Sequence, residues 1–128
     1  MILIFGGAYQ GKLAYSLERF GLNCDDVFRC DDGDINMPEN RKIIYEIDKW
    51  ILALIKADTD VDISDKIVKF MELNRDCVVI CNDISCGIVP LDPVMRKWRE
   101  AVGRSLAVLS RNSSEVVRLF CGIPTNLK

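Results

Sequence analysis

The feature that constrains this chain most is its opening, where a short apolar run, Ile2–Phe5, meets Gly6-Gly7-Ala8-Tyr9-Gln10-Gly11-Lys12 and then a helical pattern. An apolar run without alternation fits a parallel strand buried on both faces. Over Lys12–Phe20 the apolar positions Leu13, Leu17 and Phe20 recur at helical spacing, and Gly21 stands where a helix would stop. Strand, glycine-rich turn and helix together make an anion-binding unit, because glycines let backbone amides turn inward and the helix adds its positive dipole end. The spacing is that of a phosphate-binding loop, G-x-x-x-x-G-K-[ST], except that Leu13 replaces the hydroxyl residue that would ligate magnesium. A dinucleotide-binding turn, G-x-[G/A]-x-x-G, also fits through Gly6, Ala8 and Gly11, with Asp31 placed 20 residues past Gly11 as a ribose-binding acid. The first loop alone leaves both readings open.

Beyond it, strand and helix patterns alternate. Val27–Cys30 and Ile43–Ile47 read as the second and third strands, separated by the turn-rich acidic stretch Asp31–Asn40. Asp48 is a candidate cap for a helix reaching about Lys56, and Ser64 a candidate cap for a helix to Leu73. Cys77–Cys81 is the clearest strand, Pro93 suits the first turn of a helix over about Val94–Leu109, and Val116–Phe120 closes the order. This β-α-β-(loop)-β-α-α-β-α-β succession predicts an α/β fold of three layers with a mostly parallel central sheet, in one domain over residues 1–128.

Composition narrows the function. A net charge of −2 gives no general attraction to nucleic acid or anionic membrane. No apolar run approaches the ~18 residues of a membrane span, and the short apolar N-terminus lacks a basic leader, so a cytoplasmic location is expected. The six cysteines form no C-x-x-C pair and there is no histidine, which disfavours a zinc site and removes imidazole chemistry. They are expected to be small buried hydrophobes. Asp31–Asp34 lacks the remaining ligands of a calcium loop and reads as a solvated turn. Trp98 reads as a packing anchor, and Arg99 and Arg104 as helix-surface arginines.

In such folds ligands bind beyond the carboxyl ends of the strands. Three segments fall there: the Gly6–Lys12 loop, Glu46 at the end of the third strand, and Asn82–Pro90 after the fourth. The last reads N-D-I-S-C-G-I-V-P and is followed by W-R-E-A-V-G-R at Trp98–Arg104. This combination resembles the adenosylcobinamide kinase / adenosylcobinamide-phosphate guanylyltransferase family of cobalamin assembly. Members carry G-G-A-R-S-G-K-S, then T-N-E-V-G-x-G-I-V-P, then F-R-D-x-x-G-R-x-N-Q. The chain matches with Gly6-Gly7-Ala8, Gly11-Lys12, Asn82, Gly87-Ile88-Val89-Pro90, Arg99, Gly103 and Arg104. Ile44-Tyr45-Glu46 is similar to the family's L-L-E strand end, and E-V-V-R-L-F-C-G-I to its close.

The resemblance implies a P-loop-type fold that phosphorylates the aminopropanol hydroxyl of adenosylcobinamide with ATP or GTP. Its partners would be a nucleotide, a corrinoid (cobinamide) and further copies of itself, with Leu119 and Phe120 among residues buried between copies. Nucleotide binding would fall to Gly6, Gly7, Ala8, Tyr9, Gln10, Gly11, Lys12 and Leu13, with Asn82 and Gly87. Lys12, Glu46 and Asp83 would be catalytic, and Glu46 and Asp83 would stand near Mg2+ or the attacking hydroxyl. Tyr9-Gln10 replaces Arg-Ser, Leu106-Ala107 replaces Asn-Gln, and the stretch between residues 30 and 43 is short. In the family that stretch carries a guanylylated histidine. Without histidine, guanylyl transfer by that route is excluded, and a relative that binds nucleotide or corrinoid without catalysis is the alternative.

Overall fold

The computed structural model describes residues 1–128. In chain order, β1 (Ile2–Gly6) leads to α1 (Lys12–Phe20), a 3-10 turn at Cys24–Asp26, β2 (Val27–Arg29) and β3 (Ile43–Tyr45). Then come α2 (Ile47–Ala57), α3 (Ile63–Leu73), β4 (Val78–Asn82), α4 (Pro93–Asn112), β5 (Glu115–Phe120) and β6 (Ile123–Asn126). The strands form one sheet in the order β2-β3-β4-β1-β5-β6, parallel throughout except for the antiparallel β5–β6 pair. This is the three-layer, P-loop-type α/β fold. It also overturns the dinucleotide reading of the first loop. In that fold the strand after the first helix lies beside the first strand, whereas here β1 sits between β4 and β5 and β2 is at the edge.

Alternation along the strands divides the core. Leu3, Ile44, Val79, Cys81 and Val116 face α2, α3 and α4 in a cluster of 17 buried residues, where Trp50 packs on Phe70 at 5.8 Å between ring centroids. Ile4, Ile43, Ile80 and Val117 face the other way, in a cluster of 6 covered by Leu13, Leu17 and Phe20 of α1. At about 1.5–3 kcal/mol per fully buried large apolar side chain, most of the hydrophobic stabilisation lies on the three-helix face. α1 ends as its sequence predicts. Gly21, at φ 62°, places its N–H toward Glu18 O, and Leu22 N–H donates to Leu17 O at 3.0 Å, closing the helix with a left-handed residue. No helix is long and apolar enough to cross a membrane.

Several local expectations are corrected. The third strand stops at Tyr45, because Glu46 adopts a left-handed backbone (φ 60°) and α2 begins at Ile47. Asp48 is therefore inside the first turn and caps nothing; its carboxylate is buried beneath β4. The α3 cap is Asp62, which accepts from Asp65 N–H at 3.1 Å, and Ser64 lies two residues beyond it, inside the first turn. Cys30, Cys77 and Cys81 are buried as expected, but Cys24, Cys86 and Cys121 are exposed. Leu119 is buried within the chain's own core, so of the pair expected between copies only Phe120 is exposed. β6 was not foreseen. It returns through Cys121-Gly122, both at positive φ (51° and 75°), the geometry of a two-residue hairpin turn written here with Cys-Gly.

Candidate functional site

β1 delivers the chain into the Gly6–Lys12 loop through a very close approach. A Cβ on Gly6 would lie 2.2 Å from Leu119 O, so only glycine lets the loop leave the sheet beside β5. Tyr9 (φ 58°) and Gly11 (φ 85°) are left-handed, and Gln10 Oε1 accepts from Cys121 N–H, tying the loop to the β5–β6 turn. Between Gly7 and Gly11 no backbone N–H donates a hydrogen bond within the protein. A run of unpartnered amides on a turn that opens a helix is the arrangement that binds oxyanions.

Lys12 closes this loop. Although lysine is rarely buried, it is 4% exposed, and its Nζ donates to Gly7 O at 2.6 Å. Burial pulls its pKa down, opposed by the nearby carboxylates of Asp48 and Glu46. Its backbone is anchored by Ser16 Oγ, which donates to Lys12 O at 2.7 Å.

A cavity of about 500 Å³ lies against this loop at the carboxyl ends of the strands. Of the residues predicted for the site, it brings together Ala8, Tyr9, Gln10, Gly11, Lys12 and Leu13 with Glu46 and Asn82. Gly6 and Gly7 shape the loop from outside that lining. Gly87 stands apart, its carbonyl accepting from Arg99 Nη2 at 2.9 Å. Asp83 also turns away: its N–H donates to Gly6 O at 2.9 Å, while its carboxylate accepts from Ser85 N–H (3.1 Å) and Ser85 Oγ (2.5 Å). Sequence reasoning missed Arg29, Tyr45 and Lys49, which line the same cavity. Arg29 and Tyr45 end parallel strands adjacent to the site, a signal present in the strand pattern. Lys49 became visible only once α2 was seen to start at Ile47.

The carboxylates around the site are all engaged. Glu46 Oε2 pairs with Arg29 Nε at 2.9 Å, and the Arg29 guanidinium lies over the Tyr45 ring at 5.4 Å. Burial pushes the Tyr45 phenol up, with the Glu46 charge adding to it. Asp48 accepts from Asn82 N–H (2.9 Å) and Asn82 Nδ2 (3.2 Å), and its carbonyl accepts from Trp98 Nε1 at 2.7 Å. Burial raises the Asp48 pKa, and the two Asn82 bonds oppose the rise.

These residues do not fit a protein-held magnesium ion. Leu13 offers no oxygen and packs into the α1 face of the core. Glu46 is committed to Arg29 and Asp83 to its own turn, and no three acidic or thiol groups converge anywhere in the chain. Magnesium takes near-octahedral oxygen ligation in which waters and substrate phosphates complete one or two protein oxygens, and here neither residue 13 nor an uncommitted carboxylate supplies one. For a polyphosphate the fit is good: free amides, a buried lysine and two further cations face one cavity.

The family model described as cobinamide kinase / cobinamide phosphate guanyltransferase matches residues 37–127, well over half of the chain. The chain belongs to this family. The match takes in Glu46, Asn82 and Asp83 and the Gly87–Pro90 segment, and starts beyond the Gly6–Lys12 loop. No curated protein matched the chain.

Proposed function

We propose that the chain is a cobinamide-kinase-like, nucleotide-binding protein of cobalamin biosynthesis that holds the triphosphate of ATP or GTP on the Gly6–Lys12 loop. The observation that carries this reading is the row of unpartnered amides from Gly7 to Gly11 ending at the buried Lys12. Lys12 would lie against the β and γ phosphates, exchanging Gly7 O for phosphate oxygens. In the kinase reaction, the substrate hydroxyl oxygen forms a bond to the γ phosphorus as the bond to the departing diphosphate breaks. The hydroxyl proton then passes to a carboxylate. Glu46 is the acid at the cavity, and accepting that proton would require it to loosen from Arg29. Asp83, turned toward Ser85, would act through the position of its backbone beside Gly6.

Guanylyl transfer through a histidine is outside the chemistry of these residues, since the sequence has none. A second reading, a relative that binds nucleotide or corrinoid without catalysis, is favoured by one observation: Leu13 removes an oxygen ligand from the loop. The proposal includes a cytoplasmic, single-domain protein without nucleic-acid partners. Homo-oligomers would use the exposed Phe120 and β6 rather than Leu119.

Calorimetric titration with ATP and GTP tests the binding claim. Wild type should bind, and Lys12→Ala should lose at least ~100-fold in affinity, as expected for removing a charge-assisted phosphate contact together with its buried cation. Diphosphate release that depends on cobinamide separates the kinase from the binding protein. Absence of nucleotide binding by wild type overturns both.

A further inference from the structure

The cavity beside the Gly6–Lys12 loop carries an unusual charge pattern for a chain whose net charge is −2. Lys12, Arg29 and Lys49 line it, and Glu46, paired with Arg29 at 2.9 Å, is the one carboxylate among them. Lys49 makes no ion pair within 4 Å; Asp32, whose charge it feels, is itself paired with Lys56 at 2.7 Å. It also sits in the first turn of α2, where the positive end of the helix dipole makes a cation unfavourable unless an anion is near. The cap of that helix, Glu46, makes no side-chain hydrogen bond to its first amides, and Tyr45, Glu46 and Lys49 around the start of α2 line the same cavity as the start of α1. Leu13, where a metal-binding loop would present an oxygen, lines the same cavity.

We infer that this site holds a polyphosphate chain without a divalent metal, with Lys49 and Arg29 supplying the charge neutralisation that a loop hydroxyl would otherwise recruit magnesium to provide. This rests on the nucleotide reading above and adds to it the charge state of the ligand. With Arg29 paired to Glu46 at 2.9 Å, the lining still carries three cations against one carboxylate, a net positive charge that suits the free, highly charged triphosphate. Magnesium on the ligand would cancel part of the charge these cations bind and would meet no uncommitted carboxylate and no loop hydroxyl in return. The ligand class is therefore a metal-free nucleoside triphosphate or inorganic tripolyphosphate.

The test is calorimetric titration of the full chain with inorganic tripolyphosphate, ATP and GTP, in EDTA and in excess magnesium, for wild type and Lys49→Met. Methionine keeps the unbranched stem and removes the charge, and a melting curve of each protein establishes that both are folded. Wild type should bind all three ligands in EDTA, with magnesium leaving affinity unchanged or weaker. Lys49→Met should weaken binding in EDTA by about tenfold, the loss of one charge-assisted contact. Tighter binding in magnesium overturns the inference and leaves the nucleotide reading standing, as does a Lys49→Met protein that binds like wild type. No binding of any ligand under either condition overturns both.

Discussion

The loop after β1 and the loop after β4 start side by side, since Gly6 pairs with Asn82 in the ladder, yet they are held by opposite means. The first is held mainly through its backbone: Gly6 against Leu119 O, left-handed Tyr9 and Gly11, and a tie between Gln10 and the Cys121 amide. Its own amides are left free. The second is held by side chains. Asp83 accepts from Ser85, Arg99 Nε donates to Ser85 O and its Nη2 to Gly87 O, both at 2.9 Å, and Arg96 donates to Leu91 O at 2.6 Å. At its tip Ile88 and Leu91 are almost fully exposed. A loop fixed by backbone geometry keeps its polar groups for a ligand; a loop fixed by side chains consumes them. The family match covers the second loop and not the first. Family membership and the phosphate-binding reading therefore come from different segments of the chain.

That contrast can be broken by substitution, and the largest effect belongs to the first loop. Gly6→Ala should cost at least about 3 kcal/mol in urea denaturation, because the new methyl group must displace the β5 backbone. A Gly6→Ala protein as stable as wild type would show that the loop is not held by this approach. Arg99→Ala should cost about 1–3 kcal/mol, with faster amide exchange over the segment after β4. The effect is tempered because one guanidinium nitrogen, Nη1, is buried without a partner in the native fold. Unchanged exchange there would mean that the loop holds itself.

Between the loops lies Asp48, whose bonds to Asn82 join α2 to the end of β4. Its folded pKa is raised above the ordinary 3.8 by burial. Its contribution to stability is thus fully present below the unfolded value and is lost as pH rises through the folded one. Asp48→Asn removes this dependence. Its stability relative to wild type should rise as pH climbs above the ordinary carboxylate value, and a difference that stays flat with pH counts against an ionising buried acid. The smallest effect is expected at the tip of the second loop. Ile88→Ser, at a side chain 96% exposed, should change stability by less than about 0.5 kcal/mol in thermal denaturation. A larger loss would reveal packing of this loop that the monomer does not contain.

Much of the fold was legible because its signals are local. The run Ile2–Phe5, the helical spacing of Leu13, Leu17 and Phe20, and Gly21 as a stop all appear as read. So does Pro93 in the first turn of α4, with Asp92 accepting from Val94 N–H at 2.8 Å. The site was less legible. The sequence places Glu46 within the end of the third strand, but its left-handed backbone ends β3 at Tyr45 and starts α2 without a connecting loop. Nothing in the residue type signals that, since glutamate rarely adopts this conformation. Asp83 carried the right residue type at the right strand end, yet Ser85 two positions later captures its carboxylate, a local competition that outweighs a site several residues away.

What the sequence determined by itself was the alternation of strands and helices, the glycine-lysine turn after the first strand, and two chemical exclusions: no imidazole and no hydroxyl at position 13. These depend only on residue type and spacing along the chain. Tertiary structure alone decided that β1 sits between β4 and β5, which removes the dinucleotide reading. It also brought Arg29 and Lys49, 17 and 37 residues beyond Lys12 in the chain, to the same cavity. Strand order is set by which apolar faces bury each other across long separations, and charge convergence follows from strand order, so neither is written in any local window.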